Sequence, residues 1–141
     1  MSTEVATSSI RSRNAMETSR PSQTVVVLGA SPRSERYAYR ALDMLKKHGH
    51  RAIPVNPAFE NVLGERCYPT ISAVPQPIDT VTLYLREARS TPLIGEIIAA
   101  APGRIIMNPG AENAALAIKA EKAGIEVVEN CTLVMLRTGK F

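Results

Sequence analysis

The chain contains no tryptophan, only two phenylalanines and four tyrosines. Single-stranded nucleic acid is held on aromatic stacking platforms set in a basic groove, so this shortage argues against a nucleic-acid partner. Cysteine is as scarce: Cys67 and Cys131 lie far apart and form no C-x-x-C pair. Neither a zinc site nor a disulfide framework is expected, and a reducing cytoplasm is the simplest setting. No apolar run approaches the length of a membrane span, and the N-terminal stretch has no apolar signal core. The loop G-x-x-x-x-G-K-[ST], the elbow G-x-S-x-G and the pair H-E-x-x-H are all missing. The two histidines, His48 and His50, flank Gly49 at the end of a helical stretch. Imidazoles there usually serve free carbonyls and the helix dipole, not catalysis.

What is present is an ordinary globular composition. The 141 residues are 45% hydrophobic and 21% charged, enough for one domain with a buried core. Net charge is +4, from 17 Lys and Arg against 13 Asp and Glu. Arg11, Arg13 and Arg20 sit in the N-terminal stretch and the other cations are scattered, a pattern that suits a small anionic ligand better than a polyanion. Residues 1–20 are rich in Ser, Thr and Arg without hydrophobic period and read as a flexible extension. An organelle-targeting arm is the alternative, opposed by Glu4 and Glu17. The folded domain is expected over residues 21–141.

From Thr24 onward strands and helices alternate. Thr24–Leu28 is a β-branched run of the kind buried on both faces of a sheet. Positions 38, 41, 42 and 45 form one apolar face of a helix over 35–48, closed by Gly49. Strands are expected at 51–55, 79–85, 104–108 and 125–129, and helices at 90–102, with Ser90 or Thr91 as N-cap, and at 111–124. A short closing helix is expected in the last dozen residues. Residues 56–77 read as a long connection with one short helical turn. This alternation implies right-handed βαβ crossovers and an α/β, Rossmann-like, doubly wound parallel sheet of five strands with helices on both faces. The order expected is 3-2-1-4-5, with a ligand crevice at the carboxyl ends of strands 1 and 4.

The turn after strand 1, "GASPRSER", carries Gly29, Ser31 and Ser34 at the spacing of a G-x-G-x-x-G loop, with only its first glycine. Gly29 permits a tight turn, the serines add hydroxyls, and amides at the helix start suit a phosphate or diphosphate. Small residues also follow strands for packing alone. Strand 2 ends in Asn56 and Pro57, without the carboxylate that grips the ribose of NAD. Arg33 and Arg36 lie in the turn and Arg86 ends strand 3, where an additional phosphate would be in reach. The alternative for each arginine is an ordinary solvated side chain.

At these residues the chain resembles a known family. "VVVLGAS", "LKKHGHRAIPVNP", "LGERCYPTI", "IDTVTLYLR", "NPGAEN" and "AGIEVVENC" occur in the order seen in small CoA-binding proteins of a single Rossmann-like domain, similar to the CoA-binding domain of succinyl-CoA synthetase. The resemblance spans about residues 23–135. It implies that coenzyme A or an acyl-CoA binds with Gly29, Ala30 and Ser31 near the diphosphate and Arg33 and Arg36 beside it. Asn56 and Pro57 would border the nucleotide, Arg86 would reach a phosphate, and Asn108, Gly110 and Cys131 would line the remaining crevice. The chain departs from the family at Ile106 and Asn108, where Trp and Gln are common, and at Glu129 and Asn130, where Asp-Arg is common.

The synthetases that share this domain work through a phosphorylated histidine on a further domain; His48 and His50 are not expected to take that role, so binding without catalysis is the expectation. The alternatives are an NADP-dependent oxidoreductase and a CoA-binding accessory subunit of a ligase-type enzyme. Whether the chain forms a homo-oligomer or meets a catalytic partner stays open. Cys131 is either a buried structural thiol or a thiol able to form a mixed disulfide with coenzyme A.

Overall fold

In the computed structural model, the structure is described for residues 21–141; the expected extension over 1–20 lies outside the described residues. Five parallel strands form one sheet: β1 (Thr24–Leu28), β2 (Arg51–Val55), β5 (Thr80–Leu83), β6 (Arg104–Met107) and β7 (Glu126–Glu129). Two short strands, β3 (Asn61–Val62) and β4 (Glu65–Arg66), pair antiparallel as a separate hairpin. The sheet runs β2-β1-β5-β6-β7.

That order corrects the expected one. Numbering only the five sheet strands, it is 2-1-3-4-5, so the chain reverses direction across strand 1 and strand 2 becomes an edge. Pro54 explains why. Its carbonyl accepts from Tyr68 N on the outer side of β2, at 3.0 Å, so residue 54 faces away from β1. There its missing N–H costs no ladder bond within the sheet, whereas between two parallel strands it would. The switch point therefore falls between β1 and β5 rather than between strands 1 and 4.

The five helical segments are α1 (Tyr37–Lys47), α2 (Glu87–Ser90), α3 (Ile94–Ala99), α4 (Ala114–Lys122) and α5 (Thr132–Arg137), with single 3-10 turns at Ile71–Ala73 and Thr91–Leu93. Alternate residues of the strands feed two cores. Val26, Leu28, Val81 and Ile105 pack under Ile97 of α3 and Leu116 of α4. Val25, Val27 and Ile106 pack under Leu42 and Leu45 of α1 and Met135 and Leu136 of α5. Ala38, Ala41, Leu42 and Leu45 are the buried face of α1, as the periodicity expects. Burying each leucine contributes about 1.5–3 kcal/mol. Gly49, at φ +85°, ends the helix by letting His50 N reach Leu45 O at 3.0 Å.

The helix expected over 90–102 is built differently. Ser90 is not its cap but a buried residue of α2, which already starts at Glu87, and a 3-10 turn at Pro92 separates α2 from α3. The connection after β2 holds the hairpin besides its one 3-10 turn, and its end bonds along the β2 edge through Tyr68. No helix among the described residues is long and apolar enough to cross a membrane.

Candidate functional site

At the carboxyl edge of the sheet the chain leaves β1 through a turn that is fastened from behind. Gly29 N and Ala30 N both donate to Val55 O, at 3.0 and 3.2 Å. Asn56 Nδ2 donates to Ala30 O at 2.8 Å, while Asn56 Oδ1 accepts from Ala58 N at 2.9 Å. The amides of Gly29 and Ala30 are thus spent inside the fold. An anion at this turn would meet the main chain from Ser31 onward and the first amides of α1. Those amides have no side-chain cap. They are the orphan donors and positive end of a three-turn helix, and Tyr37 and Ala38 of that first turn line the adjoining cleft. Ser31 Oγ accepts from Arg33 N at 3.1 Å, which leaves its hydroxyl hydrogen free to donate.

Gly29 itself is required for conformation and packing. Its φ is +95°, and an added Cβ would stand 2.9 Å from Leu85 Cδ2 and 3.2 Å from the Tyr84 carbonyl carbon. A side chain at Gly29 therefore strains the sheet edge as well as any ligand contact.

Beside the turn lies a cleft of about 540 Å³, between the ends of β1 and β5. Of the residues expected from sequence, it brings together Gly29, Ala30, Ser31, Arg33, Arg36, Asn56, Arg86 and Gly110. The lining contains four arginines, Arg33, Arg36, Arg86 and Arg89, and no aspartate, glutamate or histidine. Arg33 leans on Glu35 at 3.3 Å, both well exposed, a pair of little energetic weight. A second, smaller cavity of about 260 Å³ adjoins the cleft and takes in Pro57. Its walls are mainly apolar, with Leu28, Val55, Pro69, Ile71, Leu85 and Leu93. Gly29, Asn56, Leu85 and Arg89 line both spaces and form the neck between them.

Two expected residues are placed elsewhere. Asn108 is buried, and its amide is fully engaged below the cleft: Nδ2 donates to Thr82 Oγ1 at 2.8 Å and Leu83 O at 2.9 Å, and Oδ1 accepts from Thr132 N at 2.8 Å. Its side chain holds β5, β6 and α5 together. Cys131 is half-buried at the start of α5 and does not line either cavity. Cys67, the other free thiol, is buried, and burial raises its pKa above the ordinary thiol value. Tyr84 lines the cleft with its Oη buried and without a partner of hydrogen-bond geometry. Burial pushes this phenol up to about 12, so it stays protonated at neutral pH.

Arg89 is the residue that sequence reading missed. It lies within α2, three positions after Arg86, the extended residue that precedes this helix, and its placement becomes readable only once α2 is seen to start at Glu87. The segment is braced from below. Asn113 Nδ2 donates to Ser90 Oγ at 2.7 Å and Thr91 Oγ1 at 3.1 Å, while its Oδ1 caps α4 through Leu116 N at 3.1 Å. One buried asparagine thus fixes both the start of α4 and the end of the short helix that carries Arg89 and follows Arg86.

The two histidines lie away from the cleft. His48 contacts Met44 O at 2.9 Å, and His50 Nδ1 accepts from Gln23 N at 3.0 Å. A hollow of about 510 Å³ does lie along the β2 edge, lined by Lys46, His50, Arg51 and Tyr68 among others, but it contains none of the residues expected for a site. Among the described residues, no group of three or more His, Cys, Asp or Glu is placed to hold a metal ion.

An open parallel sheet with a cationic cleft at its switch point, beside an uncapped helix start, defines a Rossmann-like α/β domain of ligand-binding type. Residues 23–137 match the family described as CoA binding domain, and the chain belongs to that family. It is similar to a crystal structure of an uncharacterized protein, with 39% identity and a TM-score of 0.82, over 86% of this chain and 100% of that one. The uncharacterized protein YneT of Bacillus subtilis strain 168 is 29% identical over 65 residues, 46% of this chain and 48% of that protein, so the match spans about half of that relative. The fold also recurs in the dinucleotide forming acetyl-coenzyme A synthetase 1 of Ca. Korarchaeum cryptofilum, solved with phosphate and ADP. There the TM-score is 0.65 and the identity 22%, over 77% of this chain and 25% of that one.

Proposed function

We propose that the protein binds coenzyme A or an acyl-CoA at the β1–β5 edge and does no chemistry on it. The observation that carries this reading is the lining of the larger cleft: four arginines and no carboxylate or imidazole. Such a lining attracts and orients a ligand with several negative charges and offers no general acid or base near neutral pH. Coenzyme A fits the donor set. Ser31 and the start of α1 would face its diphosphate, Arg33, Arg36 and Arg86 would neutralise phosphate charge, and the apolar side cavity would take a base. Membership of the CoA binding domain family supports the same ligand class.

NADP would also find cations here, but β2 ends in Asn56, whose side chain is committed to Ala30 and Ala58 rather than to a ribose. A second reading, a CoA-binding accessory subunit of a ligase-type enzyme, is favoured by the fold shared with about a quarter of the acetyl-coenzyme A synthetase chain. Two free thiols are compatible with a cytoplasmic setting. Mass spectrometry of the ligand retained through gentle purification tests the proposal. Coenzyme A or an acyl-CoA is expected, and a nicotinamide dinucleotide in its place would overturn it.

A further inference from the structure

The two cavities at the sheet edge differ in a way that orders a ligand. The diphosphate-facing elements, Ser31 and the start of α1, line only the larger cleft. The smaller cavity contains one cation, Arg89, and one carboxylate, Glu96, among apolar walls. Glu96 Oε1 accepts from Ser72 Oγ at 3.0 Å, and none of the ion pairs among the described residues engages Arg89. Arg89 alone of the four arginines borders both spaces.

In coenzyme A, one ribose separates the adenine from the 5′-diphosphate, and the same ribose carries the 3′-phosphate. With the diphosphate at the turn and the base in the apolar side cavity, the sugar falls at the neck between them. The neck is formed by Gly29, Asn56, Leu85 and Arg89, and only Arg89 there is charged. We propose that Arg89 is the specificity-determining residue that reads the 3′-phosphate, so that the site selects coenzyme A over its dephosphorylated form. Sequence reading put the additional phosphate near Arg86; that residue borders the larger cleft alone and serves the charge at the turn. The guanidinium gives paired donors to a terminal phosphate, and the Asn113–Ser90 brace fixes the helix from which it reaches.

This inference rests on the CoA reading, and titration calorimetry separates the two. Wild type, Arg89→Ala and Arg86→Ala are each titrated with coenzyme A and with dephospho-coenzyme A, after thermal melts confirm folding. Arg89 is exposed, so its truncation leaves the core intact. Wild type should prefer coenzyme A by roughly 10- to 100-fold, the range of a hydrogen bond to a charged group. Arg89→Ala should lose that preference by weakening coenzyme A alone, while Arg86→Ala should weaken both ligands alike and keep the preference. If Arg89→Ala retains the preference, or wild type has none, the assignment of Arg89 fails and the CoA reading stands. If wild type binds neither ligand, the CoA reading fails and the assignment with it.

Discussion

Replacing Gly29 by alanine should cost stability before any ligand is added. The residue sits at φ +95°, and its Cβ would lie 2.9 Å from Leu85 Cδ2, 3.1 Å from Leu85 Cγ and 3.2 Å from the Tyr84 carbonyl carbon. A side chain in a left-handed conformation costs about 1–2 kcal/mol. Overpacking against neighbours that must shift adds about 1–3 kcal/mol. The sum, about 2–5 kcal/mol, is a large share of the roughly 5–15 kcal/mol that holds a domain folded. For a body of this size it corresponds to a fall in melting temperature of roughly 6–25 °C. Chemical denaturation of Gly29→Ala alone and in a Leu85→Ala background separates the two contributions, because Leu85→Ala removes both of the closest atoms. The penalty should drop to about 1–2 kcal/mol in that background, the backbone share. An unchanged melt for Gly29→Ala, or a penalty indifferent to Leu85, would refute the view that the turn is locked against the end of β5.

Two further outcomes follow from side chains beneath and behind the site. Asn108→Leu should destabilise the fold by about 1–3 kcal/mol or more, because Thr132 N, Leu83 O and Thr82 Oγ1 lose a buried partner; the affinity of the remaining folded protein for coenzyme A should change little, and a selective loss of binding with a normal melt would place Asn108 in the site. His50 has its pKa lowered by burial first, then by the nearby His48 and Arg104 charges. Its neutral form accepts from Gln23 N, so the stability it contributes is complete above its ordinary value of 6.5 and is lost as pH falls through the window below 6.5, down to the lowered folded value. Melting temperature measured across that window should fall with acidification in wild type and fall less in His50→Gln; identical profiles would contradict the linkage.

The local pattern was legible where one physical rule dominates. The run at 24–28 and the spacing of 38, 41, 42 and 45 identify β1 and the buried face of α1, because burial on a sheet or a helix imposes those periods. Strand order was not legible from alternation, since right-handed crossovers permit a chain to continue outward or to reverse. The signal that decides it, Pro54, was present: a proline inside a strand belongs at an edge. The grouping of Gly29, Ser31, Arg33, Arg36 and Arg86 along one cleft was legible, whereas the cleft's place between the first and third sheet strands was not, and neither were the roles of its asparagines. Asn56 and Asn108 both end strands at the same edge, yet one clamps the turn and the other turns inward to bind three elements. An amide can donate and accept in either direction, so its role depends on which loops surround it. Arg89 escaped because the helix was placed to begin at Ser90, and one displaced helix start hides every side chain on its first turn.

Calorimetry of the wild-type protein with coenzyme A and with NADPH, under one set of conditions, tests the central claim most directly. The arginine-lined cleft, the committed Asn56 and the side cavity with Arg89 at its neck predict that coenzyme A binds at least about tenfold more tightly, a difference of one charged contact. NADPH binding as tightly as coenzyme A, or no heat with coenzyme A at all, would contradict it.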